Sequence, residues 1–159
     1  MDTKILLKLL EDQADPEKVP AMEAYMKNKF SFLGVQKPIL KKIERDFFKP
    51  FIKDPINWAF VEECWHQPYR EFQYIAMDYL DKKKKELRPE DFPKLKQLAQ
   101  TKSWWDSIDQ LDLIIGEITF HYPETKQVML DWSKEQDFWL RRIAIDHQLM
   151  RKEKTDTDL

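Results

Sequence analysis

Two tryptophans and two carboxylates stand together in Lys102-Ser103-Trp104-Trp105-Asp106-Ser107-Ile108-Asp109. An indole beside a carboxylate suits a cationic or electron-poor group, drawn by the ring face and by direct charge pairing. Stabilising a cationic ligand or transition state is therefore the chemistry to look for. From Trp104 to Phe120 there is no proline and one glycine, so the segment reads as a helix with Ser103 as its N-cap. At about 100° per residue, Trp104, Ile108, Leu111, Ile115 and Ile118 form an apolar face that must be buried. Trp105, Asp109, Asp112 and Gly116 form an adjacent stripe that the core does not need. The competing reading packs Trp105 against a neighbouring helix and leaves Asp109 merely solvated.

Other chemistries find less support. Cys64-x-His66 is a two-ligand fragment without evident partners, and His121 and His147 stand alone, so structural or exposed roles are expected and no metal. The sequence carries no glycine-rich phosphate loop, nucleophile elbow or dinucleotide fingerprint, and no cofactor is expected. Basic residues gather at Lys27 and Lys29, at Lys37, Lys41 and Lys42, and at Lys102, Arg141, Arg142, Arg151, Lys152 and Lys154. If they shared a face they would grip phosphates; otherwise they are solvated helix surface, as the run Lys82 to Lys85 around a whole helix warns.

The elements that position these residues follow from composition and punctuation. The chain has 159 residues, 42% of them hydrophobic, enough for one sizeable core. Two glycines against nine prolines argue for an all-α fold, because hairpins need more turn residues. Apolar period predicts about nine helical stretches: Thr3 to Gln13, Glu17 or Pro20 to Asn28, Lys37 to Phe48, Pro55 to His66, Tyr69 to Leu87, Glu90 to Gln100, Trp104 to Phe120, Glu124 to Trp132 and Asp137 to Arg151. Short connections predict antiparallel helix pairs. No apolar run approaches membrane-spanning length and no secretory leader is visible, so a soluble, cytoplasmic protein is expected. The single Cys64 excludes a disulfide framework, and a net charge of −2 does not announce a nucleic-acid partner.

Ile75-Ala76-Met77-Asp78 recurs 68 positions later as Ile143-Ala144-Ile145-Asp146, and half that spacing lands on Ile108-Asp109. Such a period, with two helices per unit, predicts stacked HEAT-like helical repeats, an α-solenoid with a concave binding face, rather than an irregular bundle. The polar end, Arg151 to Leu159, lacks the capping repeat a solenoid usually has. Residues 1–159 are therefore expected to form one HEAT-like domain, the N-terminal part of a longer one.

Tyr25-Met26-Lys27-Asn28, Phe32-Leu33-Gly34-Val35, Arg70-Glu71-Phe72-Gln73 with Ala76 and Asp78, Thr101 through Asp109, and Trp139-Leu140-Arg141-Arg142 with Ala144 occur in one order. In these segments the sequence resembles the DNA alkylation repair family of AlkD-like DNA glycosylases over nearly its whole length. The resemblance implies HEAT-like repeats holding double-stranded DNA with alkylated bases on a basic concave face. It also implies hydrolytic release of N3- and N7-alkylated purines by a monomer, without metal or cofactor, at the nucleoid. Carried over by position, the catalytic aspartate falls on Asp109 and a cleft tryptophan on Trp105. An arginine holding the DNA backbone falls on Arg142 and a cleft tyrosine on Tyr25. From the basic clusters, Lys27 and Lys102 are expected as further DNA contacts. Lys102 also raises a bifunctional lyase variant, for which no borohydride-trapped adduct is expected. The family continues into helices bearing another cleft tryptophan and arginine. The chain is thus expected to lack one wall of its groove and to excise weakly or not at all. The rival reading is a non-catalytic helical-repeat module that binds DNA or a protein through its concave face.

Overall fold

The computed structural model describes residues 1–158, and among them the fold is all-α, with no β-strand. Nine α-helices run in order: α1 (Thr3–Glu11), α2 (Val19–Tyr25), α3 (Lys37–Phe48), α4 (Trp58–His66), α5 (Arg70–Lys83), α6 (Phe92–Gln100), α7 (Trp105–His121), α8 (Lys126–Trp132) and α9 (Phe138–Asp146). Among the described residues no helix is long and apolar enough to cross a membrane. The chain divides into two compact units, Met1–Tyr79 and Leu80–Leu159.

In the first unit, α1 turns Leu6 and Leu10 fully inward, against α3 and α4. The rings of Phe48, Phe60 and Tyr79 pack edge-on and tilted, with centroids 5.4 to 6.2 Å apart. The Tyr79 hydroxyl also accepts the Asn57 N–H at 2.9 Å, and the Asn57 side chain caps α4 by accepting from Phe60 N–H at 3.0 Å.

The Arg70-Glu71-Phe72-Gln73 segment has a structural task. Glu71 is fully buried, and its carboxylate receives the N–H groups of Leu33, Gly34 and Val35 at 2.9 to 3.1 Å. A buried carboxylate is tolerable only when its lone pairs are filled in this way. Gln73 donates its amide to the carbonyls of Cys64, Trp65 and Gln67, closing the C-terminal end of α4. Arg70 is fully buried with its guanidinium 3.8 Å from the Phe30 ring centroid. Gly34 has φ 97°, and a Cβ there would stand 2.3 Å from the Asp15 carbonyl oxygen, so only glycine fits. Opposite charges meet where Lys41 pairs with Asp78 and lies 3.6 Å from Glu44. Burial, reinforced by Asp78, pushes the Glu44 carboxyl up to about 8.

In the second unit, α7 packs against α6 and α9, and α8 packs against α9. Ile108, Leu111, Ile115 and Ile118 of α7 are buried as their period requires, joined by Leu95, Ala99, Leu140 and Ile143. Burying each such side chain is worth about 1.5–3 kcal/mol. A short connection joins α6 to α7, and the two helices pack against each other.

Several helix ends depart from expectation: α2 ends at Tyr25 rather than Asn28, α4 begins at Trp58 rather than Pro55 and α5 ends at Lys83 rather than Leu87, and two further departures bear on the site. Ser103 does not cap α7; its hydroxyl donates 2.5 Å to the Ala99 carbonyl and so finishes α6. Trp104 occupies the N-cap, and the Ser107 hydroxyl accepts its N–H at 3.4 Å. At the other end, α9 stops at Asp146 rather than Arg151. Arg151 instead turns back on α7, donating to the Gly116 carbonyl at 2.8 Å and to the Thr119 hydroxyl.

Candidate functional site

The first two turns of α7 present Trp105 and Asp109 outward while Ile108 and Leu111 hold the helix to the core. Trp105 is 37% exposed, a high value for a tryptophan, so part of its indole stays accessible. The N-cap places Trp104 differently: half-buried, with its ring edge-on to Trp139 at 5.9 Å. Phe138, more than half exposed, extends this aromatic row, its centroid 5.1 Å from that of Trp139.

Asp109 is held from across the helix interface. Asp137 caps α9 by accepting from Trp139 and Leu140 N–H, which fixes the start of the helix that carries Arg142. The Arg142 guanidinium donates through Nε at 3.1 Å and through Nη2 at 2.7 Å, both to Oδ1 of Asp109. Oδ2 of Asp109 keeps no hydrogen-bond partner among the described residues. The pair is roughly half-exposed, and a surface ion pair contributes only about 0–1 kcal/mol to stability. Its effect is orientation: one carboxylate oxygen is fixed and the other left open. Asp109 in turn raises the Arg142 pKa, so the guanidinium stays charged.

Two further carboxylates complete the cluster. Asp146, four residues after Arg142 on α9, approaches its Nε at 3.6 Å. Asp112, one turn after Asp109, is buried and its Oδ1 has no hydrogen-bond partner. Burial, with the nearby charges of Asp109 and Asp146, pushes the Asp112 carboxyl up to about 7. A single arginine thus serves three acidic side chains, and of these Asp112 is the one whose ionised form its surroundings disfavour.

The stripe expected to be open is therefore only half open. Trp105 and Asp109 remain accessible; Asp112 and Gly116 are covered by α9. Gly116 lets the helices approach, since a Cβ there would lie 2.1 Å from the His147 carbonyl oxygen. A lone glycine in a 17-residue helix was the available sign of this close approach.

Of the remaining expected site residues, Lys102 lies in the α6–α7 connection at φ 51°, half-buried. Tyr25 and Lys27 belong to the first unit. Tyr25 ends α2 and is 67% exposed, and Lys27 follows at φ 56° with its side chain exposed. Within the second unit the structure brings Asp109 and Arg142 together and leaves Trp105 accessible one turn away. The sequence does not single out Asp112, Asp146, Trp139 or Phe138 as site residues. Their helical spacing from Asp109 and Arg142 is legible there, but the packing of α9 along α7 is not.

A family model described as DNA alkylation repair enzyme matches residues 6–159. Among solved structures, the chain is similar to one titled "Predicted DNA alkylation repair enzyme from Enterococcus faecalis", at 29% identity and a TM-score of 0.84. That match covers 92% of this chain and 70% of the other. No curated protein matches the sequence.

Proposed function

Given that the chain belongs to the DNA alkylation repair enzyme family, we propose that it is a DNA glycosylase that hydrolyses the N-glycosidic bond of N3- and N7-alkylated purines. The observation that carries this reading is the Asp109 carboxylate, with Oδ1 fixed by Arg142, Oδ2 unengaged, and an accessible indole one turn away.

Alkylation at N7 or N3 gives the purine a positive charge and makes it a good leaving group. As the bond from the sugar C1′ to the purine nitrogen breaks, its electron pair goes to the base, which departs neutral. The sugar is left with oxocarbenium character. Oδ2 of Asp109 stabilises that cation through space and accepts a proton from the water that adds to C1′. Trp105 offers its ring face to the cationic lesion or the sugar. Arg142 keeps Asp109 in one rotamer and supplies a guanidinium to a backbone phosphate. Because the substrate carries an activated leaving group, no strong general acid is needed. Tyr25, Lys27 and Lys102 are proposed as further DNA contacts.

Single-turnover release of N7-methylguanine from a duplex tests the reading. Asp109→Asn keeps the shape and removes the charge, so the rate should fall roughly 10²- to 10³-fold, the usual effect of deleting one electrostatic group, with DNA affinity nearly unchanged. Full activity in Asp109→Asn would sink the assignment. DNA binding by the wild-type chain with no base release would favour a non-catalytic DNA-binding module instead.

A further inference from the structure

The C-terminal end of α7 carries a second feature that the chemistry at Asp109 does not use. A cleft of about 610 Å³ is lined there by Lys84, Lys85, Arg88, Phe120, His121 and Tyr122, with Glu117 and other α7 residues at its wall. Its charge is uneven because most nearby carboxylates are paired with cations and Glu117 is hydrogen-bonded to an imidazole. Glu117 meets His121 at 3.0 Å, Asp81 meets Lys84 at 3.0 Å, Glu86 meets Lys83 at 2.8 Å, and Asp156 pairs with Lys126.

Of the remaining cations, Arg88 and Lys85 face no carboxylate in an ion pair among the described residues, while Arg151 also feels the charges of Asp156 and Glu117. Arg88 donates to the carbonyls of Lys85 and Leu87 and lies 5.8 Å from the Tyr122 ring centroid. Arg151 and Lys154 each lie 5.6 Å from the Phe120 centroid, while Arg151 bonds the Gly116 carbonyl. The exposed Lys85 ammonium has no partner among the described residues. A cleft with uncompensated guanidinium and ammonium groups beside aromatic faces favours a phosphate-bearing chain.

Helical register ties this cleft to the open face of α7. Phe120 follows Asp109 by three turns, so it lies about 20° from Asp109 around the helix and ~16 Å further along it. Gly116 on this line is covered, and Leu113, 38% exposed, and Phe120, 40% exposed, form the accessible edge of α7 beside it. A duplex advances about 3.4 Å along its axis per base pair, so that distance corresponds to about five base pairs of a duplex lying along α7.

We propose that this cleft is a backbone-phosphate grip, which holds the duplex within about five base pairs to one side of the lesion, through Lys85 and Arg88. The proposal rests on the reading of the chain as a protein that acts on DNA, and on the duplex lying along the exposed edge of α7. It makes the footprint asymmetric: the protein reaches further along one flank of the lesion than Asp109 and Arg142 require.

The test is binding of the full chain to an undamaged 20-base-pair duplex, read by fluorescence anisotropy across a salt series. Lys85→Ala/Arg88→Ala should flatten the slope of log affinity against log salt by about 2, near 0.9 for each phosphate no longer neutralised. Lys85→Ala alone should remove about 1, and it touches no structural hydrogen bond of its side chain. Lys53→Ala/Lys134→Ala removes two exposed lysines that do not line the cleft and should leave the slope near the wild-type value. Shortening the duplex to fewer than five base pairs on one flank of an N7-methylguanine should weaken the wild type and leave the double variant unaffected.

An unchanged slope, an equal drop in the control pair, or equal sensitivity to flank length overturns the phosphate grip. A wild-type chain that excises the base yet shows an unchanged slope in the variants removes this proposal alone. A wild-type chain that binds no DNA removes the functional reading with it.

Discussion

Asp112→Asn separates the electrostatics of the acidic cluster from its packing. Asparagine reproduces the shape of a protonated aspartic acid but cannot ionise. In the folded chain, burial and the charges of Asp109 and Asp146 hold the Asp112 carboxyl at about 7, against an ordinary value of 3.8. The folded state therefore keeps this proton over a pH range in which the unfolded chain has already released it. Asp112 imposes no penalty below about pH 4; stability falls as pH rises between the two values, and the loss is complete above about pH 7. At about 1.4 kcal/mol per unit, a shift near three units sets an upper limit of ~4 kcal/mol, and relaxation around the cluster brings the expected effect to roughly 2–4 kcal/mol. Urea unfolding at pH 4, 6 and 8.5 reads it, and the difference between wild type and variant cancels the titrating groups that lie away from the cluster. Asp112→Asn should match the wild type at pH 4 and exceed it at pH 8.5 by that amount, or by about 6–12 °C in Tm for a chain of this size. Parallel stability curves for the two proteins would refute the argument that Asp112 stores a proton in the folded state.

Gly116→Ala should destabilise by about 3 kcal/mol or more in thermal melts, because its Cβ would meet the His147 carbonyl oxygen at 2.1 Å and backbone cannot swing aside. The same variant should lose base release along with stability, since α9 carries Arg142; a fully stable variant would contradict the close approach. Glu71→Gln replaces a carboxylate that accepts from three backbone N–H groups by an amide with one oxygen, and should cost roughly 2–3 kcal/mol in chemical denaturation. Unaltered stability in Glu71→Gln would mean that the segment Leu33 to Val35 is held by other interactions.

The parts of this molecule that were legible in the sequence are those decided within one helix. Lys37–Phe48 forms where proline and apolar period put it, and the buried face of α7 follows its period through Ile108, Leu111, Ile115 and Ile118. What was not legible depends on a second element. Ser103 has the chemistry of an N-cap, but the Ala99 carbonyl at the end of α6 takes its hydroxyl first. Asp112 lies on the same stripe as Asp109, yet α9 covers one and leaves the other. Arg151 has helix-forming propensity, yet its guanidinium finds the Gly116 carbonyl and the chain leaves α9 early.

The same distinction divides the segments that resemble the repair family. Glu71 and Gln73 spend their polar atoms on backbone groups up to 38 residues away, so their identity is explained by folding alone. Asp109 differs: Arg142 takes Oδ1, and Oδ2 accepts from nothing among the described residues. A motif residue whose hydrogen-bonding capacity is filled internally has its explanation in the fold; one held in place but left unfilled needs a partner from outside. On that criterion Asp109 is the residue for which the fold supplies orientation and no occupant. Substituting it should cost activity while leaving stability within about 1 kcal/mol, the reverse of what Glu71→Gln should do. Comparable losses of stability in both variants, measured by urea unfolding at pH 7, would contradict that division.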